Sequence, residues 1–249
     1  MVAAEERSLA LVTGATGGIG RALVRRLAES GMDLLLSARS DAALAALAAT
    51  LPPGRTRHHA CDLARDAGRL ADAALALPRI DLIVHAAGVH DSGPWETTED
   101  ATLRSLLAVN VEAPTLLTRR LLPRLRATQG MVVFLNSTRG LDVAEHVGPY
   151  AASKHALRAL ADTLRLEVQG SGIRVLSVYP GSTDTPMQRA IQETKGHPYD
   201  PDTFIRPDDI AAMVMAALVL PRTAEVSDIT IRPLGRPPDP LPAAGPAAA

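Results

Sequence analysis

The stretch Leu9-Ala-Leu-Val-Thr-Gly14-Ala-Thr-Gly-Gly18-Ile-Gly20 decides how the rest of the chain is read. Leu9–Val12 reads as a short buried strand. A glycine-rich turn follows at once, then a helical pattern with apolar residues at Leu23, Val24, Leu27 and Ala28. Gly14 permits a sharp turn, Gly18 lets the backbone approach a phosphate, and Gly20 lets the helix pack on the strand. The helix start then offers free N–H groups and a positive dipole to an anion such as a pyrophosphate. The spacing is not G-x-G-x-x-G; it leaves more room between the first glycine and the helix.

Outward from this unit, apolar runs alternate with helical patterns. Further strands are predicted at 33–38, 56–61, 80–85, 131–136, 173–178 and 229–231, making about seven. Strands of continuous apolar character separated by helices imply a Rossmann-type, doubly wound parallel sheet with helices on both faces. Residues 1–233 are expected to form a single domain for dinucleotide binding and catalysis. Residues 187–204, with Gly196, Pro198 and Pro201, break the pattern and are expected to be a short substrate lid. A Pro/Ala-rich tail fills 234–249.

The composition excludes several classes. Of 249 residues, 47% are hydrophobic and 21% charged, which marks a folded globular chain. A net charge of -1 argues against nucleic acid as a partner. The apolar run from Ile210 to Leu220 is far short of the roughly 20 residues that span a bilayer, so no membrane is expected. Cys61 is the single cysteine, which fits a reducing, cytoplasmic setting. Seven histidines lack paired ligand spacing, so no metal site is expected.

The second strand ends Ser37-Ala38-Arg39-Ser40. An acid at this place would accept hydrogen bonds from a ribose 2′-hydroxyl and repel a 2′-phosphate. Ala38 and Arg39 instead favour the phosphate, hence NADP(H) over NAD(H), with Asp41 nearby expected to dilute the field.

Tyr150 and Lys154 are four apart at the start of a helical segment, so phenol and ammonium share a face. A free tyrosine, with a pKa of roughly 10, is a poor acid–base catalyst near neutrality, and a cation within ~4–6 Å favours the phenolate. The chain has only two lysines, Lys154 and Lys195, so the spacing is unlikely by chance. Ser137 follows the strand 131–136 at its C-terminal edge, where its hydroxyl could meet a substrate oxygen, although a serine there is more often a turn residue.

Four features now coincide: the glycine-rich loop, Ser137 thirteen residues before Tyr150, Tyr-x-x-x-Lys, and Pro180-Gly181 after the next strand. Together they resemble the short-chain dehydrogenase/reductase family, over Leu9 to about Pro233. The resemblance implies hydride transfer between NADP(H) and a carbonyl or alcohol substrate. It implies Tyr150 as general acid/base, Lys154 lowering the Tyr150 pKa and holding the nicotinamide ribose, and Ser137 polarising the substrate oxygen. Asn110 would support a proton-relay water. Cofactor contacts are implied at Gly14, Thr16, Gly18, Ile19, Gly20 and Arg39, at Asp62 and Leu63 beside adenine, and at Ala86, Ala87 and Gly88. Others are implied at Tyr150, Lys154, Pro180, Gly181, Thr183 and Thr185. A homotetramer or homodimer is implied too, through helices near 103–125 and 150–168, where Leu106, Leu107, Leu116, Leu117, Leu121 and Leu122 exceed what one buried face needs.

Two departures are visible. His85 stands where the family often has Asn. The glycines Gly14, Gly17 and Gly20 also fit the spacing of longer sugar-nucleotide epimerases, but too few residues follow Gly181 for their substrate domain. A non-catalytic NADP(H)-binding regulator on the same fold, or an epimerase-like enzyme, are the competing functions. Intact Ser137, Tyr150 and Lys154 argue against the regulator. Arg139 could meet an anionic group on a substrate, or pair with Asp142 or Glu145.

Overall fold

The computed structural model describes residues 7–235, so most of the predicted tail, 236–249, lies outside the described residues. Seven strands form one parallel sheet: β1 Leu9–Thr13, β2 Asp33–Ala38, β3 Thr56–Ala60, β4 Leu82–His85, β5 Met131–Leu135, β6 Arg174–Pro180 and β7 Asp228–Ile231. Their order is β3-β2-β1-β4-β5-β6-β7. The winding direction reverses between β1 and β4, and a crevice opens at the carboxyl ends of the strands at such a point. Register keeps those ends level. Thr13 lies opposite both Ser37 and His85, His85 opposite Phe134, and Leu135 opposite Val178. The loops leaving β1, β4, β5 and β6 therefore emerge at one edge.

Helices cover both faces. α1 Gly18–Glu29, α2 Asp41–Ala48 and α8 Pro207–Leu218 bury Leu23, Leu27, Leu44, Ile210 and Val214 against one. α3 Leu63–Leu75, α5 Ala113–Thr128 and α6 Gly148–Glu167 bury Leu70, Leu117, Leu121, Leu125 and Leu157 against the other. Removing such side chains from water stabilises the sheet by roughly 1.5–3 kcal/mol each. α4 Asp100–Leu107 runs into α5 through a π-helical turn, Ala108–Glu112.

The segment 187–204 differs from expectation. Most of its first half is helical, as α7 Pro186–Thr194. The Thr185 hydroxyl caps the helix start by accepting from the Gln188 amide at 3.1 Å, and Pro186 takes the first turn, where it loses no hydrogen bond. The expected apolar excess on the central helices is also smaller than the sequence suggests. Leu106, Leu117 and Leu121 are buried within the chain, and Leu116 and Leu122 pack against its core.

Candidate active site

One cleft of about 280 Å³ lies over the sheet edge at the switch point. Its walls gather Ile19, Ala86, Ala87, Gly88, Ser137, Tyr150, Lys154, Pro180, Gly181, Thr183 and Thr185, which come from five separate stretches of chain.

The glycine loop is shaped by close approach. Gly14 has φ +62°, and a Cβ there would sit 2.6 Å from the Ala87 amide nitrogen. A Cβ on Gly20 would lie 2.1 Å from the Gly14 carbonyl oxygen, and one on Gly18 2.5 Å from the Thr185 methyl. The start of α1 thus nearly touches the start of α7. α1 has no side-chain cap and no acidic residue in its first turn, so its first N–H groups have no intrahelical or capping partner. Such N–H groups, facing a second helix start across a space that only glycine keeps open, fit a dinucleotide pyrophosphate. Thr16 lies in the same loop; its carbonyl accepts from Arg21.

Away from the cleft, Arg39 is exposed at the end of β2 and makes no ion pair among the described residues. Asp41, two residues on, lies 3.3 Å from His58 Nε2 on β3. Asp62, at the end of β3, caps α3 by accepting from the Ala64 amide, and Leu63 begins that helix.

Tyr150, Ser153, Lys154, Leu157 and Ala161 are the buried stripe of α6, spaced by three and four residues, so packing turns Tyr150 and Lys154 inward. Lys154 Nζ lies 5.9 Å from the Tyr150 ring centre and donates to the Leu135 carbonyl at 3.1 Å. Burial pushes the Lys154 pKa down to about 8. Tyr150 moves the other way: burial raises its pKa, while the Ser137 hydroxyl and the Arg139 charge act to lower it. The expected lowering by Lys154 does not govern this geometry, because desolvation of the phenolate outweighs the charges nearby.

The π-helical turn brings Asn110 to a buried position behind the cleft. Its Oδ1 accepts from the Val89 amide at 3.0 Å, and its Nδ2 donates to the Val89 carbonyl and to Ser153 Oγ. A Cβ on Gly88 would lie 3.4 Å from Asn110 Oδ1 and 3.7 Å from Lys154 Nζ, so the two groups approach one another across that glycine. His85 does not enter the cleft. It is buried at the end of β4, shares a 2.8 Å hydrogen bond with the Thr118 hydroxyl and stacks on Phe134.

Asn136 carries no sequence signal of its own beyond ending a predicted strand. Asn136 Nδ2 donates to the Lys154 carbonyl at 3.1 Å, and its Oδ1 accepts from the Ser137 amide at 2.9 Å, so one buried amide fixes the backbone at both. His90 packs tilted on Tyr150 at 4.6 Å. Gln188, Ile191 and Lys195 line the cleft from α7 and its end. Arg139 pairs with Asp142 at 2.7 Å and also donates to the Val143 carbonyl. Among the described residues, no cluster of side chains could hold a metal ion, and no helix is long and apolar enough to cross a membrane.

The family described as short chain dehydrogenase matches residues 8–196. The chain is 35% identical over 221 residues to 1-deoxy-11-beta-hydroxypentalenate dehydrogenase of Streptomyces exfoliatus, covering 84% of this chain and 78% of that protein. Among solved structures, a metagenomic short-chain oxidoreductase in complex with NADP superposes with a TM-score of 0.78 at 31% identity, covering 92% of this chain and 98% of that one. An alcohol dehydrogenase from the archaeon Thermococcus sibiricus, complexed with 5-hydroxy-NADP, superposes with a TM-score of 0.83 at 26% identity, covering 94% and 100%. With the family matched over most of its length and the parallel sheet in the matching order, the chain belongs to the short-chain dehydrogenases and is an oxidoreductase acting on an alcohol or ketone group.

Proposed function

We propose that the chain reduces a ketone or aldehyde with NADP(H), or runs the reverse oxidation, with Tyr150 as general acid/base. The observation that carries this reading is the buried Tyr150 phenol, which faces the cleft beside Ser137 and Lys154. Its raised pKa keeps it protonated at neutral pH, which suits donation to a carbonyl oxygen. Ser137 orients and polarises that oxygen. Lys154, still mostly charged at neutral pH, holds the ribose side and restores the Tyr150 proton. Asn110 supports the proton path behind Lys154.

The pyrophosphate is held by Gly14, Thr16, Gly18, Ile19 and Gly20, and adenine lies by Asp62 and Leu63. Ala86 to Gly88, Pro180, Gly181, Thr183 and Thr185 line the nicotinamide half. When bound, the nicotinamide supplies or takes up the hydride. Arg39 receives the 2′-phosphate, and the NADP bound to the metagenomic relative supports that preference. α7 and the chain to Phe204 act as the lid. Arg189 stacks over Tyr199 at 4.0 Å, and the Tyr199 hydroxyl donates to Asp184, which ties the far end of that segment down. A cytoplasmic location fits the lone buried Cys61.

The test follows NADPH absorbance against a panel of ketones and aldehydes, with titration of both cofactors. NADPH should bind about 10- to 100-fold more tightly than NADH, the worth of one charge-assisted pair. Arg39→Asp should reverse the order. Equal affinity for both cofactors in the parent protein overturns the preference.

The chain is also proposed to assemble as a homodimer or homotetramer through α4, α5 and α6. Leu103, Leu160 and Leu166 remain exposed on α4 and α6, with Leu166 at 73%. Light scattering at micromolar concentration should give at least twice 26.2 kDa. A monomer alone would overturn the assembly.

A further inference from the structure

We infer that the cleft takes a carbonyl or hydroxy compound that also bears a carboxylate, and that Lys195 receives that carboxylate; the inference rests on the reductase reading above. The first observation is compositional. The chain has 26 basic residues, and only Lys154 and Lys195 are lysines. Both line the same cleft. With Lys154 already set four residues after Tyr150, random placement would bring the other lysine there in roughly one chain in ten. A chain that meets its other cationic needs with arginine has kept a compact ammonium twice, each time at this site. The flexible stem lets such a point charge follow a ligand in a way a planar guanidinium does not.

The second observation is where the remaining charges go. Arg139 is spent on Asp142. Lys154 is buried and bonded to the Leu135 carbonyl, deep under Tyr150. Glu145 lines the cleft, but it makes no ion pair with Lys195 among the described residues. Lys195 stands exposed at the end of α7, likewise without an ion pair among those residues. Its field enters the cleft. The Lys195 charge acts on His90, whose ring packs against Tyr150. His90 itself is held neutral by burial, with both lysines adding to that direction and Asp91 opposing. The wall beside the reacting phenol therefore has one exposed cation without an ion pair among the described residues, carried at the end of α7. A substrate carboxylate would compensate it and bring the lid with it.

The probes are 2-oxobutanoate, 3-oxobutanoate and 4-oxopentanoate, each compared with its neutral amide. Calorimetry measures binding to protein saturated with NADP+. At least one acid should bind tenfold or more tightly than its amide, both in the parent and in Lys195→Arg. In Lys195→Met the ratio should fall to within about threefold. Equal affinity of every acid and amide in the parent overturns the inference. So does a ratio that persists in Lys195→Met. A loss of NADP+ affinity in Lys195→Met without a change in the ratio assigns the ammonium to the cofactor and also overturns it. Turnover separates the two levels. An acid that binds preferentially but is never reduced by NADPH upholds this inference and sinks the reductase reading. Reduction of neutral ketones with no advantage for any acid does the reverse.

Discussion

Tyr150→Phe is expected to lower kcat by about 100- to 10,000-fold while leaving the NADPH dissociation constant within about threefold. The substitution removes one oxygen. The ring stays, and with it the packing against His90 and the buried stripe of α6. The Lys154 ammonium also stays, since it donates its hydrogen bond to the Leu135 carbonyl and not to the phenol. On the proposed reading, what is lost is the proton donor facing the substrate oxygen. Lys154→Met should differ in kind. On the same reading it removes a group with two duties, so both kcat and cofactor affinity should fall. Stopped-flow turnover with fluorescence titration of NADPH separates the cases. A Tyr150→Phe protein that retains more than a tenth of parent kcat shows that the proton comes from elsewhere.

The sheet and the placing of Tyr150 beside Lys154 were legible because their signals are local. The run Leu9 to Gly20 fixes strand, turn and helix within twelve residues, and Tyr150 and Lys154 share a face through helix period alone. What could not be read locally depends on what packs where. Asn136 looked like the last residue of a strand, yet its amide joins Lys154 to Ser137 across sixteen intervening residues. The effect expected of Lys154 on Tyr150 assumed a charge effect, and the structure buries the phenol deeply enough that desolvation dominates. The leucines of α4 and α5 suggested a surplus apolar face, but most are consumed by the chain's own core. One further element does have a local signal. Thr185-Pro186 is a helix-start signal, a capping hydroxyl followed by a proline at the first helical position, and the breakers Gly196, Pro198 and Pro201 act only after that helix has ended at Thr194. That helix is what carries Lys195 to the cleft.

Stability should fall with acidification across a window set by His85, and His85→Asn should remove that part of the fall. His85 occupies the end of β4, 4% exposed, between the Thr118 hydroxyl and the Phe134 ring. Burial lowers its pKa from 6.5 to about 3, because no anion is near enough to compensate a charged imidazole. In the unfolded chain the ring titrates near its ordinary value of about 6.5. Between those two values the unfolded state binds a proton that the folded state refuses. Stability therefore rises with pH in this window. The contribution is fully present above about 6.5 and is lost progressively as pH falls toward about 3. The slope is about 1.4 kcal/mol per pH unit for one proton, so roughly 2 kcal/mol should be gone by pH 5. The comparison with His85→Asn isolates the histidine, since asparagine keeps a hydrogen-bonding group near Thr118 but takes up no proton. Urea unfolding of both proteins at half-unit steps from pH 7 to 4.5 is the measurement. The parent should lose about one proton's worth of slope more than the variant, and the two curves should converge or cross on the acid side. Parallel curves would show that the ring is protonated inside the fold, and that the hydrogen bond to Thr118 and the stack on Phe134 hold an imidazolium instead.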